Sequence, residues 1–276
     1  LRPRCSICRD RWRGTYFQDT LAPPTRTMAP LILLSAFFIY HEVGCSHMSL
    51  LHRSRELLRY AGLDVSRFPN PASVEARRVA ILKANNVDLV LDVGASSGRY
   101  GLELRRHGYV GDILSFEPQP SPYERLAKRC SSDEKWTARQ EAVGRSTDPI
   151  DLNISANGDS SSVLPMLQAH VDAAPESHYV AVRAVNQTTI SLILPSLSCD
   201  RPFLKMDVQG YERAVIEGAS LVIDRLVGIQ MEMSLEPLYQ EQMLYQEALQ
   251  LMEDHGFVLW SIEPGFSHPS SGRLLQ

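Results

Sequence analysis

The stretch VDLVLDVGASSG at positions 87–98 constrains this chain more than any other. Leu89, Val90, Leu91 and Val93 make an apolar run of strand length, as expected of a strand covered on both faces in a parallel sheet flanked by helices. The run breaks into Gly94, Ala95, Ser96, Ser97 and Gly98, small residues that let a ligand come close to backbone. Tyr100, Leu102 and Leu104 follow as the core side of a predicted helix. Strand, glycine turn and helix N-terminus together make a nucleotide-type crevice. Taken alone, the motif also fits a plain strand–turn–helix corner with Asp92 as a capping or turn residue.

The glycines are spaced Asp-x-Gly-x-x-x-Gly (Asp92, Gly94, Gly98), not Gly-x-Gly-x-x-Gly. A diphosphate wants helix-terminal N–H groups crowded around it. An acidic strand tip suits a cationic ligand better, such as the sulfonium cofactor S-adenosylmethionine (SAM). The second strand, 112–117, ends in Glu117, 25 residues past Asp92. An acidic residue at about this distance takes ribose hydroxyls in doubly wound folds, the plainer reading being a surface glutamate before a turn.

Composition excludes several classes. The chain has 276 residues, 44% hydrophobic and 22% charged, with a net charge of -4, so it has the make-up of a globular protein without a basic footprint for nucleic acid or anionic lipid. Five cysteines lie scattered, which favours a reducing, cytoplasmic location, and Cys5 and Cys8 lack the second Cys or His pair that a zinc site needs. Residues 1–48 read as an unstructured or mis-started leader. Their apolar run at 29–40 is too short for a membrane span and has a poor processing site behind it. Two helices are expected over 49–86, the second at about 73–85, and a ligand-binding domain over 87–276.

Further along, helices are expected at 121–130, from Thr189 to Leu194, and at about 239–255. A third strand is expected over 136–143, whose end, with Glu141, Ala142 and Val143, would wall an adenine. Segments 151–154 and 179–185 alternate as added strands do, and the polar loop 157–163 suits a lid or substrate contact. A fourth strand ends at Lys205-Met206-Asp207 and lies next to the first across the switch point, so Asp207 opens into the same crevice. Fifth and sixth strands are expected at 227–233 and 257–262.

LDVGASSG at 91–98, SFEP at 115–118, the serine triplet 160–162 and LKMDVQGYE at 204–212 resemble the FkbM-type SAM-dependent methyltransferases over about residues 50–276. The resemblance implies an α/β, Rossmann-like class I methyltransferase, a mostly parallel doubly wound sheet of seven strands. It implies methylation of a hydroxyl, commonly on a sugar or polyketide-like metabolite, and so a small-molecule or glycan acceptor. Net acidity and the lack of an Asn/Asp-Pro-Pro-Tyr/Phe tetrapeptide argue against a nucleic-acid partner. Asp92, Gly94, Ala95 and Gly98 would then line the methionine end, Glu117 the ribose, and Ala142 and Val143 the adenine. Asp207 would sit by the transferred methyl as general base, with helix capping as its other reading, and Lys205 or Tyr211 would position the acceptor. No metal is expected, although Asp207 with Glu232, two carboxylates from separate strands, could bind a divalent ion. Two departures stand out: Gln209 replaces the Glu of the family's Asp-Val-Glu-Gly pattern, and the chain ends about where the last strand begins, so that strand is expected to be missing. An NAD(P) oxidoreductase and a non-catalytic SAM-binding protein remain the alternatives. The sequence leaves the oligomeric state open.

Overall fold

The computed structural model describes residues 54, 56–63 and 70–276. The chain divides into two compact units, Leu1–Val65 and Ser66–Gln276. The expected leader, its apolar run and the Cys5/Cys8 pair lie outside the described residues. So does the start of the first expected helix, of which 56–60 is helical and ends at Gly62.

The second unit begins with helix α1 (Val74–Ala84), started by the Ser73 hydroxyl accepting from Ala76 N–H at 3.2 Å. There follow β1 (Leu89–Val93), α2 (Arg99–Arg106), β2 (Asp112–Phe116), α3 (Pro120–Cys130), β3 (Trp136–Arg139) and β4 (Ala142–Val143). After these come β5 (Ile150–Ser155), α4 (Gln168–Ala173), β6 (Tyr179–Val185), β7 (Gln187–Thr188) and α5 (Ile190–Ile193). The chain continues through β8 (Pro202–Met206), α6 (Glu212–Gly218), β9 (Gly228–Met231) and α7 (Tyr245–Asp254).

Five strands pair in parallel in the order β3-β2-β1-β8-β9. Strand order reverses beside β1, which creates the switch-point crevice of a doubly wound fold. Alternate residues of the strands feed two cores. Leu91, Val93, Phe116, Leu204 and Met206 pack with Ile190, Val215 and Ala248 of α5, α6 and α7. Val90 and Ile113 pack with Val79, Leu104 and Leu126 of α1, α2 and α3.

On that second face, register lines up a polar rung across the sheet. Asp92 of β1 lies opposite Lys205 of β8 and Ser115 of β2. Ser115 Oγ donates to Asp92 Oδ2 at 3.0 Å and accepts from Trp136 Nε1 at 3.0 Å. A buried carboxylate needs such partners to offset its lost hydration.

The expected third strand is split. The ladder with β2 ends at Arg139, and the chain bends so that β4 pairs instead with β7. Ala142 N–H donates to Asn186 O at 2.8 Å and Gly144 N–H to Thr188 O at 3.0 Å. This staple closes the base of an excursion, 144–186, that carries the antiparallel hairpin β5–β6. The expected sixth strand does not form. Residues 257–262 lie in coil, with Val258, Leu259, Trp260 and Ile262 exposed. Period-2 patterning makes a strand only when a ladder partner is present, and none reaches this segment among the described residues.

Trp136 also fixes how α2 lies on the sheet. A Cβ on Gly101 would stand 2.4 Å from the indole. Gly101→Ala gains about 1 kcal/mol of helix propensity but overpacks a rigid ring, typically at ~1–3 kcal/mol. Net destabilisation of about 1–2 kcal/mol is expected in urea unfolding.

Candidate active site

The carboxyl ends of β1, β2, β4 and β8 open into one cleft. It is lined by Gly94 and Ser96 after β1, Glu117 and Gln119 after β2, Ala142 and Val143 of β4, and Asp207, Gln209 and Tyr211 after β8. Its empty volume is about 640 Å³ with the solvent-open part included. A roomier void, about 980 Å³ with its solvent-open part included, lies beside Arg105, Asp133 and Trp136 at the amino end of β3. Doubly wound sheets bind ligands at the opposite, carboxyl ends of their strands.

Gly94 lets the tips of β1 and β8 touch. It sits at φ 73°, and a Cβ there would fall 1.8 Å from the Asp207 carbonyl oxygen. Any side chain would force apart the two strand ends that frame the cleft.

Glu117 is 4% exposed. Its Oε2 accepts from Ser96 N–H at 2.9 Å and its Oε1 from Gln119 N–H at 2.9 Å. Burial pushes its carboxyl up to about 7 against the pull of these two donors. Each oxygen keeps a lone pair free, so the group can still accept from two hydroxyls.

Across the cleft, the loop after β8 is held by its own helix. Glu212 Oε1 accepts from Val208 N–H at 3.2 Å and Gly210 N–H at 3.3 Å. The helix itself starts at Tyr211 without a side-chain cap, so the capping role open to Asp207 in the sequence is not taken by it, and Glu212 instead ties the loop. Asp207 stays 44% exposed, and its Oδ1 accepts from Gln209 Nε2 at 2.9 Å.

Four of the expected site residues lie elsewhere. Asp92 is fully buried beneath the cleft, with its Oδ1 3.0 Å from Lys205 Nζ. Lys205 also donates to Gly94 O at 3.0 Å and stands 5.3 Å from the centre of the Tyr100 ring. Burial pulls its ammonium down, but Asp92 and then Asp207 more than offset this and hold it above its usual range. Neither side chain lines the cleft, because each is the other's counter-charge in a low-dielectric layer. Ala95 is buried against the second core, and Gly98 is where α2 meets Leu126 and Trp136. Gly94, Glu117, Ala142, Val143 and Asp207 are brought together as expected.

The loop 157–163 lies across the opening as a strap. Ser96 Oγ donates to Asp159 at 3.2 Å, Gln119 Nε2 to Gly158 O at 3.1 Å, and Ser162 Oγ to Gln209 O at 2.7 Å. A ligand with a nucleoside and an amino-acid end needs roughly 300 Å³ or more, within the cleft's empty volume of about 640 Å³.

Residues 92–259 match the profile of the methyltransferase FkbM domain. The chain belongs to that family. Its parallel order and switch-point cleft are those of a SAM-dependent class I methyltransferase. A comparison with curated proteins returned no match. Among solved structures, the chain is similar to a precorrin-6y C5,15-methyltransferase from Geobacter metallireducens, at 17% identity over 70% of this chain and 77% of that one, TM-score 0.37. It is also similar to a SAM-dependent methyltransferase from Aquifex aeolicus, at 13% identity over 71% and 88%, TM-score 0.35. A putative O-methyltransferase from Klebsiella pneumoniae matches at 19% identity over 33% of this chain and 42% of that one, TM-score 0.21. Likeness this distant adds nothing to the family match. Among the described residues of this FkbM-domain chain, no helix is long and apolar enough to cross a membrane.

Proposed function

We propose that this chain transfers the methyl group of SAM to a hydroxyl of a sugar or other small metabolite. The supporting observation is Glu117: a carboxylate with spare lone pairs, aimed into a cleft whose far side carries the half-exposed Asp207. Glu117 accepts from the two ribose hydroxyls, as charge-assisted bonds that fix the nucleoside. Ala142 and Val143 give the apolar wall for a base, and Gly94 leaves room for the amino-acid end. When bound, SAM supplies an activated methyl group on a good leaving group.

The protein's task is then orientation and proton removal. Holding a hydroxyl in line with the methyl–sulfur bond is worth up to ~7–11 kcal/mol of barrier. Asp207 accepts the hydroxyl proton as the oxygen–carbon bond forms, typically a 10²–10⁴-fold effect. Tyr211 lines the acceptor end. Closing the strap excludes water, which would compete for the methyl group. Net acidity disfavours an RNA or DNA acceptor. The unlinked thiols of Cys130 and Cys199 accord with a cytoplasmic location.

Calorimetry separates SAM from NAD as ligand, and radiolabelled SAM with sugar, phenolic and RNA acceptors separates the products. The reading predicts SAM binding and label on a hydroxyl compound. NAD binding in place of SAM, or label on RNA alone, would overturn it. Amide exchange over 157–163 is expected to slow when SAM is added, since the strap closes over it; unchanged exchange would sink the lid assignment.

A further inference from the structure

The proposed base, Asp207, does not stand alone. Gln209 Nε2 donates to Asp207 Oδ1 at 2.9 Å and to Glu232 Oε2 at 2.9 Å, so one amide bridges the two carboxyls. The opposite end of the same amide is fixed, since the buried Tyr239 hydroxyl donates to Gln209 Oε1 at 2.7 Å. The two carboxylates decide which way the amide points, because the flipped form would set a carbonyl oxygen against them. Burial pushes the Tyr239 phenol far up, so it stays a donor. Gln209 holds this pose at φ 53°, a strained backbone for a non-glycine residue.

Two carboxylates bridged by one amide, Asp207 in the cleft and Glu232 behind it, need positive charge, a proton or hydrogen-bond donors between them. In many enzymes that need is met by a divalent cation bound through carboxylate oxygens. Here the NH₂ group fills the space, giving one N–H to each partner. The other charged groups facing the pair are Glu212 and Lys205, whose ammonium lies 3.0 Å from Asp92 Oδ1 and reaches Asp207 Oδ2 only at 4.0 Å. Glu232 is accordingly raised well above its usual range, by burial first and by Asp207 next.

We propose that Gln209 is a positioning residue that stands in for a divalent cation, its carboxamide bridging Asp207 and Glu232 so that the acid–base pair of this cleft is metal-free. The proposal rests on the cleft being the site of methyl transfer. Its test, however, needs neither SAM nor acceptor, so the two readings fail separately.

Gln209→Glu puts a third carboxylate at the same point and creates an oxygen cage. Calorimetry with Mn²⁺ should show the full-length variant gaining a single site, at least roughly tenfold tighter than anything in the wild type. Adding Glu232→Gln should remove the gain. Among the described residues, no three His, Cys, Asp or Glu side chains gather elsewhere to hold the ion. Wild type binding Mn²⁺ as tightly as Gln209→Glu, or a folded variant that gains no site, overturns the proposal.

If Gln209→Glu fails to fold, Gln209→Ala and Tyr239→Phe carry the test through carbon-13 titration of the Glu232 carboxyl. Loss of the N–H donor raises its titration midpoint by about one pH unit in Gln209→Ala, and less in Tyr239→Phe, where only the anchor is lost. A midpoint that does not move in Gln209→Ala overturns the proposal, because a residue that merely packed would leave it in place.

Discussion

Lys205→Met is expected to lower the unfolding free energy by about 3–5 kcal/mol, the usual cost of leaving a buried charge without its partner. The expectation follows from the rung that crosses the sheet. Asp92 is fully buried, and its remaining partner after the substitution is the Ser115 hydroxyl. The ammonium also ties Gly94 O, so the tip of β1 loses a tether along with its counter-charge. Asp92→Asn should cost a similar amount by stranding the ammonium. The double variant should recover part of the loss, because it removes both charges together. Urea unfolding of the four proteins gives the coupling energy directly. A loss below about 1 kcal/mol for Lys205→Met would mean that the pair is hydrated and the rung is not a structural unit.

Glu117→Ala is expected to weaken SAM binding by roughly 2–4 kcal/mol, about 30- to 1000-fold, since two charge-assisted hydrogen bonds disappear. The pH dependence carries the same information. With the carboxyl pushed up to about 7, lowering the pH below that value protonates the group that ribose hydroxyls need. Affinity should fall by up to about tenfold per pH unit below 7, reach a plateau above it, and lose this slope in Glu117→Gln. Stability of the ligand-free protein should run the other way. A carboxyl raised in the folded state binds its proton more tightly there than in the unfolded chain. Its contribution is therefore present at low pH and lost as pH rises from 4.5 to about 7. Glu212, also pushed up to about 7, adds a trend of the same sign, so the comparison is wild type against Glu117→Gln. Equal SAM affinity in wild type and Glu117→Ala would remove the ribose assignment.

The parallel sheet and its cleft were legible because they rest on short-range pattern. Apolar runs ending in Asp92, Glu117 and Asp207 marked three strand tips, and the fold brings those tips side by side. What pattern could not tell was which acidic tip points inward. Asp92 and Glu117 look alike in sequence, but Asp92 lies within its strand and faces the second core, whereas Glu117 lies one residue beyond its strand and turns into the cleft. Lys205 was the available clue: a lysine inside an apolar strand calls for an acidic partner on a neighbouring strand. The roles of Gly98 and Gly101 depend on Trp136, far along the chain, and no local signal links them. The strand expected at 257–262 shows the converse, a correct local pattern without a partner to pair with.

The staple between β4 and β7 bears on how such a protein could diversify. The excursion it closes leaves and rejoins the chain at adjacent points, so its length and sequence are insulated from the register of the main sheet. On the proposed reading, donor recognition falls to residues at the ends of β1, β2 and β4, whereas the excursion supplies the strap and part of what greets the acceptor. Exchanging 145–185 between relatives would then retarget the chemistry while keeping the methyl source, a division of labour that turns one scaffold into many specificities.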